Sequence, residues 1–178
     1  MAKRAKRLAS GVAVVCLGNP LRGDDAFGYL VYRLLRSAGF PALYAGAAPE
    51  NVIGKLSGWK PRTVVIVDAL LGGEPGLTIV KLFETVTPLA STTHSVPLEL
   101  LLKAAGIDPE RVFVVGVEAE RLGLGDEPSE RVRKAAWEAA RLLAKVLATG
   151  SLPSERELGD EGAVVAGDVE NFANACEL

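Results

Sequence analysis

Two adjacent carboxylates, Asp24 and Asp25, stand in the stretch GNPLRGDD (Gly18 to Asp25), between an apolar run and a segment of helical period. A third, Asp68, follows the apolar run TVVIV, and the single histidine, His94, lies in STTHSVP. Two carboxylates and one imidazole supply oxygen and nitrogen ligands to a divalent ion while leaving positions open for a substrate atom or water. Zn, Ni, Co, Mn and Fe all accept such a set, and affinity order does not choose among them. Each residue also has a plain structural role open to it. An aspartate ahead of an amphipathic helix serves as its N-cap, Asp68 can end its strand in a turn, and His94 can be an ordinary loop residue. A cap needs one carboxylate, however, and GDD offers two, whose like charges call for a helix dipole or a cation beside them. The division expected is that Asp24 serves local structure and Asp25 faces the metal.

Other chemistries find little support. GNPLRG has neither the G-x-G-x-x-G spacing nor the Gly-Lys-Ser/Thr ending of a phosphate-binding loop. No G-x-S-x-G elbow occurs, and Ser91 and Ser95 beside His94 show no sign of an activated nucleophile. Glu118 and Glu120 follow an apolar strand and are read either as a further acid or base or as solvated surface. The two cysteines, Cys16 in an apolar run and Cys176 near the end, form no metal pair and no disulfide framework, as suits a reducing compartment.

The elements that must position these residues follow from periodicity. Val12 to Leu17 and Val112 to Val117 are short apolar runs rich in β-branched residues, as is Thr63 to Val67. Such strands lack a polar face, which predicts helices on both sides of a mainly parallel sheet. Phe27, Leu30, Val31, Leu34, Leu35 and Ala38 recur at helical spacing up to Gly39; Asn51 to Gly58, Pro97 to Ala105 and about Pro128 to Ala148 are the other predicted helices. Pro41 to Gly46 offers a short strand. Leu77 to Phe83 follows a tight turn and is expected to return antiparallel, because that connection is too short for a helical crossover. The prediction is therefore a three-layer α/β/α fold with a five-stranded, mostly parallel twisted sheet. Ligands of such sheets bind beyond the carboxyl ends of the strands where strand order reverses. An order 2-1-3 makes the first and third strands neighbours, so that Asp25 and Asp68 face one crevice.

With 178 residues, 49% of them apolar, and a net charge of −2, the chain is expected to form one domain over residues 1–152, with no electrostatic footprint for nucleic acid. The basic and then apolar start imitates a secretory signal, but Val12 to Leu17 is short and runs into a turn at Gly18-Asn19-Pro20, so a buried first strand is preferred. No stretch reaches the roughly 18 apolar residues of a membrane span. The chain is therefore read as cytoplasmic, without membrane insertion. Residues 153–178 differ in kind: from Glu155 onward seven residues are acidic and one is basic. This segment is read as an acidic, solvated tail.

Taken together, GNPLRGDDAFG, VIVDAL and TTHSVPLELLL resemble the signature segments of the [NiFe] hydrogenase maturation endopeptidases, in order and spacing. GVEAERLGLGDEPSERV resembles that family's last strand and the loop before its final helix. The resemblance implies an aspartic-type endopeptidase that removes a C-terminal extension from the nickel-loaded large-subunit precursor of a [NiFe] hydrogenase. Carried over by position, it implies that Asp25, Asp68 and His94 are both the metal ligands and the catalytic set, that the metal is nickel carried by the substrate or another divalent ion, and that the precursor is the partner. Ala26 departs from the family's usual glycine. Two other classes remain open at this level: a non-catalytic metal- or precursor-binding chaperone, and a small-molecule metallohydrolase on a similar fold.

Overall fold

The computed structural model describes residues 11–72, 76–82, 89 and 98–151. His94, Cys176 and the acidic tail lie outside the described residues. Nine elements follow in chain order: β1 (Val12–Leu17), α1 (Phe27–Ser37), β2 (Leu43–Gly46), α2 (Glu50–Trp59), β3 (Thr63–Leu70), β4 (Leu77–Lys81), α3 (Leu98–Ala104), β5 (Val112–Glu118) and α4 (Glu130–Thr149). The strands form one sheet in the order β2-β1-β3-β5-β4. β1 pairs in parallel with β2 and β3, and β3 in parallel with β5. β4 runs antiparallel to β5, with Ile79 opposite Val115. This is the predicted fold class, including the reversed strand after the short turn.

β1 is buried at every position and β3 at all but its first, because each strand presents apolar side chains to both faces. On one face, Val14, Cys16, Val65, Val67 and Val115 pack against α1 and α4 through Phe27, Val31, Leu35, Ala136 and Leu143. On the other, Val15, Leu17, Ile66 and Val114 pack against α2 and α3 through Val52, Leu56, Leu98 and Leu102. Burying one such Leu, Ile, Val or Phe side chain contributes about 1.5–3 kcal/mol before the entropic cost of ordering it. α4 is capped by the Ser129 hydroxyl, which accepts from the Val132 N–H at 3.3 Å, and it stops at Gly150 with φ 77°.

Two local expectations are corrected. β3 does not end before Asp68: its ladder with β5 continues through Asp68↔Gly116 to Leu70↔Glu118, so Asp68 is a strand residue and not a turn residue. Neither Asp24 nor Asp25 caps a helix. A short 3-10 turn, Gly23–Ala26, leads into α1, and neither has a side-chain cap. Both carboxylates face other partners.

Candidate active site

The chain leaving β1 must turn sharply and return over the ends of β1 and β3. Two glycines permit it. Gly18 holds φ 108°, where a side chain is strained, and a Cβ there would run into the Asp25 carbonyl oxygen. Gly28, in the first turn of α1, rests on the backbone of both strands: a Cβ would strike the Leu17 carbonyl oxygen and come within 2.6 Å of that of Val67. This contact lowers the helix start onto the carboxyl edge of the sheet and carries Asp25 there, to the edge at which Asp68 lies. Asn19 shapes the turn between, its Oδ1 accepting from the Leu21 N–H at 2.9 Å.

Asp24 is fully buried and consumed by backbone. Its Oδ2 accepts from the N–H groups of Glu120 and Arg121 at 2.9 and 3.1 Å, and its Oδ1 from Ser129 N–H at 2.7 Å. Its own N–H donates to the Arg121 carbonyl at 2.7 Å. Burial pushes this carboxyl up, but the hydrogen bonds from Ser129, Glu120 and Arg121 outweigh it and hold Asp24 below its ordinary value. Asp24 does serve structure, though not locally: it ties the β1–α1 turn to a loop about a hundred residues away, which sequence spacing alone does not reveal.

Asp25 is placed differently. It is 5% exposed, its Oδ2 accepts from the Asn19 N–H at 2.9 Å, and its buried Oδ1 has no hydrogen-bond partner among the described residues. Burial raises the carboxyl above its ordinary value, against the opposing pull of the Asn19 N–H and the Arg22 guanidinium. An orphaned buried carboxylate oxygen is costly unless a cation or a donor meets it, so the donor set suits a divalent ion. Asp68 is fully buried, and its Oδ1 accepts from the Ala69 N–H at 2.9 Å. Beneath this edge the buried Cys16 thiol is pushed up by burial and by the Asp68 charge. Tyr44, which periodicity did not single out, donates its hydroxyl to the Gly18 carbonyl at 2.8 Å and has its own hydroxyl pushed up by burial, by Tyr29 and by Asp25.

The structure thus brings Asp25 and Asp68 to the carboxyl edge of neighbouring strands; His94 lies outside the described residues. Among the described residues no three of His, Cys, Asp and Glu converge on a cation site. Glu118 and Glu120 turn to the Arg131 guanidinium of α4, at 3.5 and 3.1 Å, on the flank of the sheet. The residues missed by pattern reading, Gly28, Tyr44 and Ser129, act through backbone approach or a single hydrogen bond, whereas the turn at Gly18 was expected. A glycine in the first turn of a helix that follows a buried strand was the available signal.

Fold and edge together define the class: a three-layer α/β/α protein with buried carboxylates at the ligand-binding end of a parallel sheet. The family model for hydrogenase maturation proteases (HycI) matches residues 29–146, and the chain belongs to this peptidase family. It is 30% identical over 115 residues to the hydrogenase 3 maturation protease of Escherichia coli K12, spanning 62% of this chain and 74% of that protein. It is also similar to the crystal structure of the [NiFe] hydrogenase maturation protease HycI of Thermococcus kodakarensis, at 32% identity and a TM-score of 0.63, covering 83% of this chain and 99% of that one. The solution structure of the E. coli endopeptidase HycI shares the fold at a TM-score of 0.66 and 24% identity, covering 80% and 95%. Among the described residues no helix is long and apolar enough to cross a membrane.

Proposed function

We propose that this peptidase removes the C-terminal extension from the nickel-loaded large-subunit precursor of a [NiFe] hydrogenase, in the cytoplasm, and that it reads the nickel through Asp25, Asp68 and His94. The observation that carries the reading is Asp25: one carboxylate oxygen is fixed by the Asn19 N–H, and the other is buried without a partner among the described residues, beside the strand that bears Asp68. Nickel is cargo of the substrate here. A precursor without it offers no cation to these acceptors and loses its anchor.

Anchoring converts cleavage into a positioned reaction, in which the scissile peptide is held over the sheet edge. Two described side chains near this edge are withdrawn from attack, which favours water as the nucleophile: Cys16 is fully buried beneath the edge, and the Ser129 hydroxyl is occupied in capping α4. Water adds to the carbonyl carbon, the C–N bond breaks, and the water proton leaves with the departing amine.

The test is incubation of the full chain with nickel-loaded and nickel-free precursor, read by mass spectrometry. Loss of the extension from the loaded form only is expected; equal cleavage of both would overturn nickel recognition. Asp25→Asn, Asp68→Asn and His94→Ala should each lower the rate on the order of 10³-fold or more while the chain still unfolds cooperatively. Full activity in any one removes that residue from the set.

A further inference from the structure

The carboxyl edge of the sheet carries, besides its two buried carboxylates, an unusual share of exposed apolar surface. Among the described residues six large hydrophobic side chains are markedly exposed, and three of them stand in the loops that follow the adjacent parallel strands β1, β3 and β5: Leu21 at 64%, Leu71 at 43% and Leu124 at 79%. Scattered single leucines need no explanation, but one per successive strand end, at the ligand edge, forms a set.

The loops after β1 and β5 are tied to each other. The Gly125 N–H donates to the Leu21 carbonyl at 2.8 Å, Gly23 N–H to Asp126 at 3.1 Å and Ala119 N–H to Leu70 at 2.9 Å. The Arg22 Nε donates to the Leu122 carbonyl at 3.2 Å, and Asp24 clasps Glu120, Arg121 and Ser129 from below. Leu21 and Leu124 are therefore held out by an ordered backbone, and a partner that covers them meets a preformed surface with little loop ordering left to pay for. Leu21 and Asp25 share one loop, and Leu71 follows Asp68 by three residues, so the leucines stand at the same edge of the sheet as the carboxylates.

We infer that Leu21, Leu71 and Leu124 form an apolar docking rim that receives an apolar segment of the polypeptide substrate next to the peptide bond to be cut. The inference rests on the proposed function for the identity of that polypeptide. It adds a second recognition element, independent of the metal: the carboxylates read the cargo, and the leucines read the chain that carries it.

Binding and cleavage of the nickel-loaded precursor are measured separately for the wild type and for Leu21→Ser, Leu71→Ser, Leu124→Ser and the triple variant. Each single variant should raise both Kd and KM by about 3- to 10-fold, and the triple by about 100-fold, with kcat at saturation unchanged. Trp59→Ser, at the end of α2 and hence at the opposite edge, should bind as the wild type does. A triple variant with wild-type Kd and KM, or an equal loss in Trp59→Ser, would overturn the rim. Precursor that is cleaved with a leucine-independent KM defeats the rim and leaves the endopeptidase reading standing. Leucine-dependent binding without cleavage does the reverse.

Discussion

The two ends of the same five strands treat charge in opposite ways. At the amino edge, Gly11 accepts from the N–H groups of Arg62 and Thr63, and the charged residues nearby stay in water: Asp108 caps a short turn through Glu110 N–H at 3.1 Å and lies 3.8 Å from Arg111, both side chains more than half exposed. At the carboxyl edge, Asp24, Asp25 and Asp68 are buried. Asp24 is matched by three backbone donors, whereas one oxygen of Asp25 has none among the described residues. Exposed charges tolerate imperfect partners because water screens them; buried ones must be satisfied or held at a cost. The amino edge is thus a set of connections, and the carboxyl edge stores an unmet demand for positive charge.

The carboxyl edge depends most heavily on Gly28. Gly28→Ala should destabilise the fold by about 3–5 kcal/mol in chemical denaturation, since even a methyl group must push α1 off the backbones of β1 and β3. An unchanged midpoint would mean that the helix start does not rest on the edge as described. Next comes Asp24→Asn, which sets an amide donor against the N–H groups of Glu120 and Arg121 and should cost about 3 kcal/mol.

The same residue makes a pH signature. Because the folded-state value of Asp24 is depressed, its ionised form favours folding: the contribution is complete above the ordinary aspartate range near about pH 4 and is lost as pH falls below it. Urea titrations should show a shallower acid loss of stability in Asp24→Asn than in the wild type. Asp25 has the opposite sign, since its raised value means that ionisation at neutral pH opposes folding. Ionised Asp25 thus lends the fold no stability, as the proposed ligand role requires. The smallest effect belongs to the amino edge: Arg111→Ala, which removes an exposed pair, should change stability by less than about 0.5 kcal/mol and leave precursor cleavage unaltered.

Much of this molecule was legible in advance. The runs VAVVCL, TVVIV and VFVVGV have no polar face, so a doubly covered parallel sheet was the available solution, and the short turn before Leu77 forced the one antiparallel strand. Helix faces were read from spacing and hold in α1 and α4, where Val31, Leu35, Val132 and Leu143 are buried. The division between the adjacent aspartates was half legible. That one of them would serve structure followed from the pair itself; that it would do so by gripping a loop near Glu120, Arg121 and Ser129 did not, because nothing in GNPLRGDD encodes the arrival of those N–H groups.

By itself, then, the sequence determined the alternation of elements, the layers they build and the edge at which chemistry belongs, since apolar periodicity and turn chemistry act between near neighbours and every residue type carries them along. Only the tertiary structure decided which backbone groups satisfy Asp24, why Gly28 cannot carry a side chain, and that the leucines of three separate loops stand exposed at one edge. Those properties depend on which backbone groups meet across the sheet edge, a matter of packing between segments far apart in the chain.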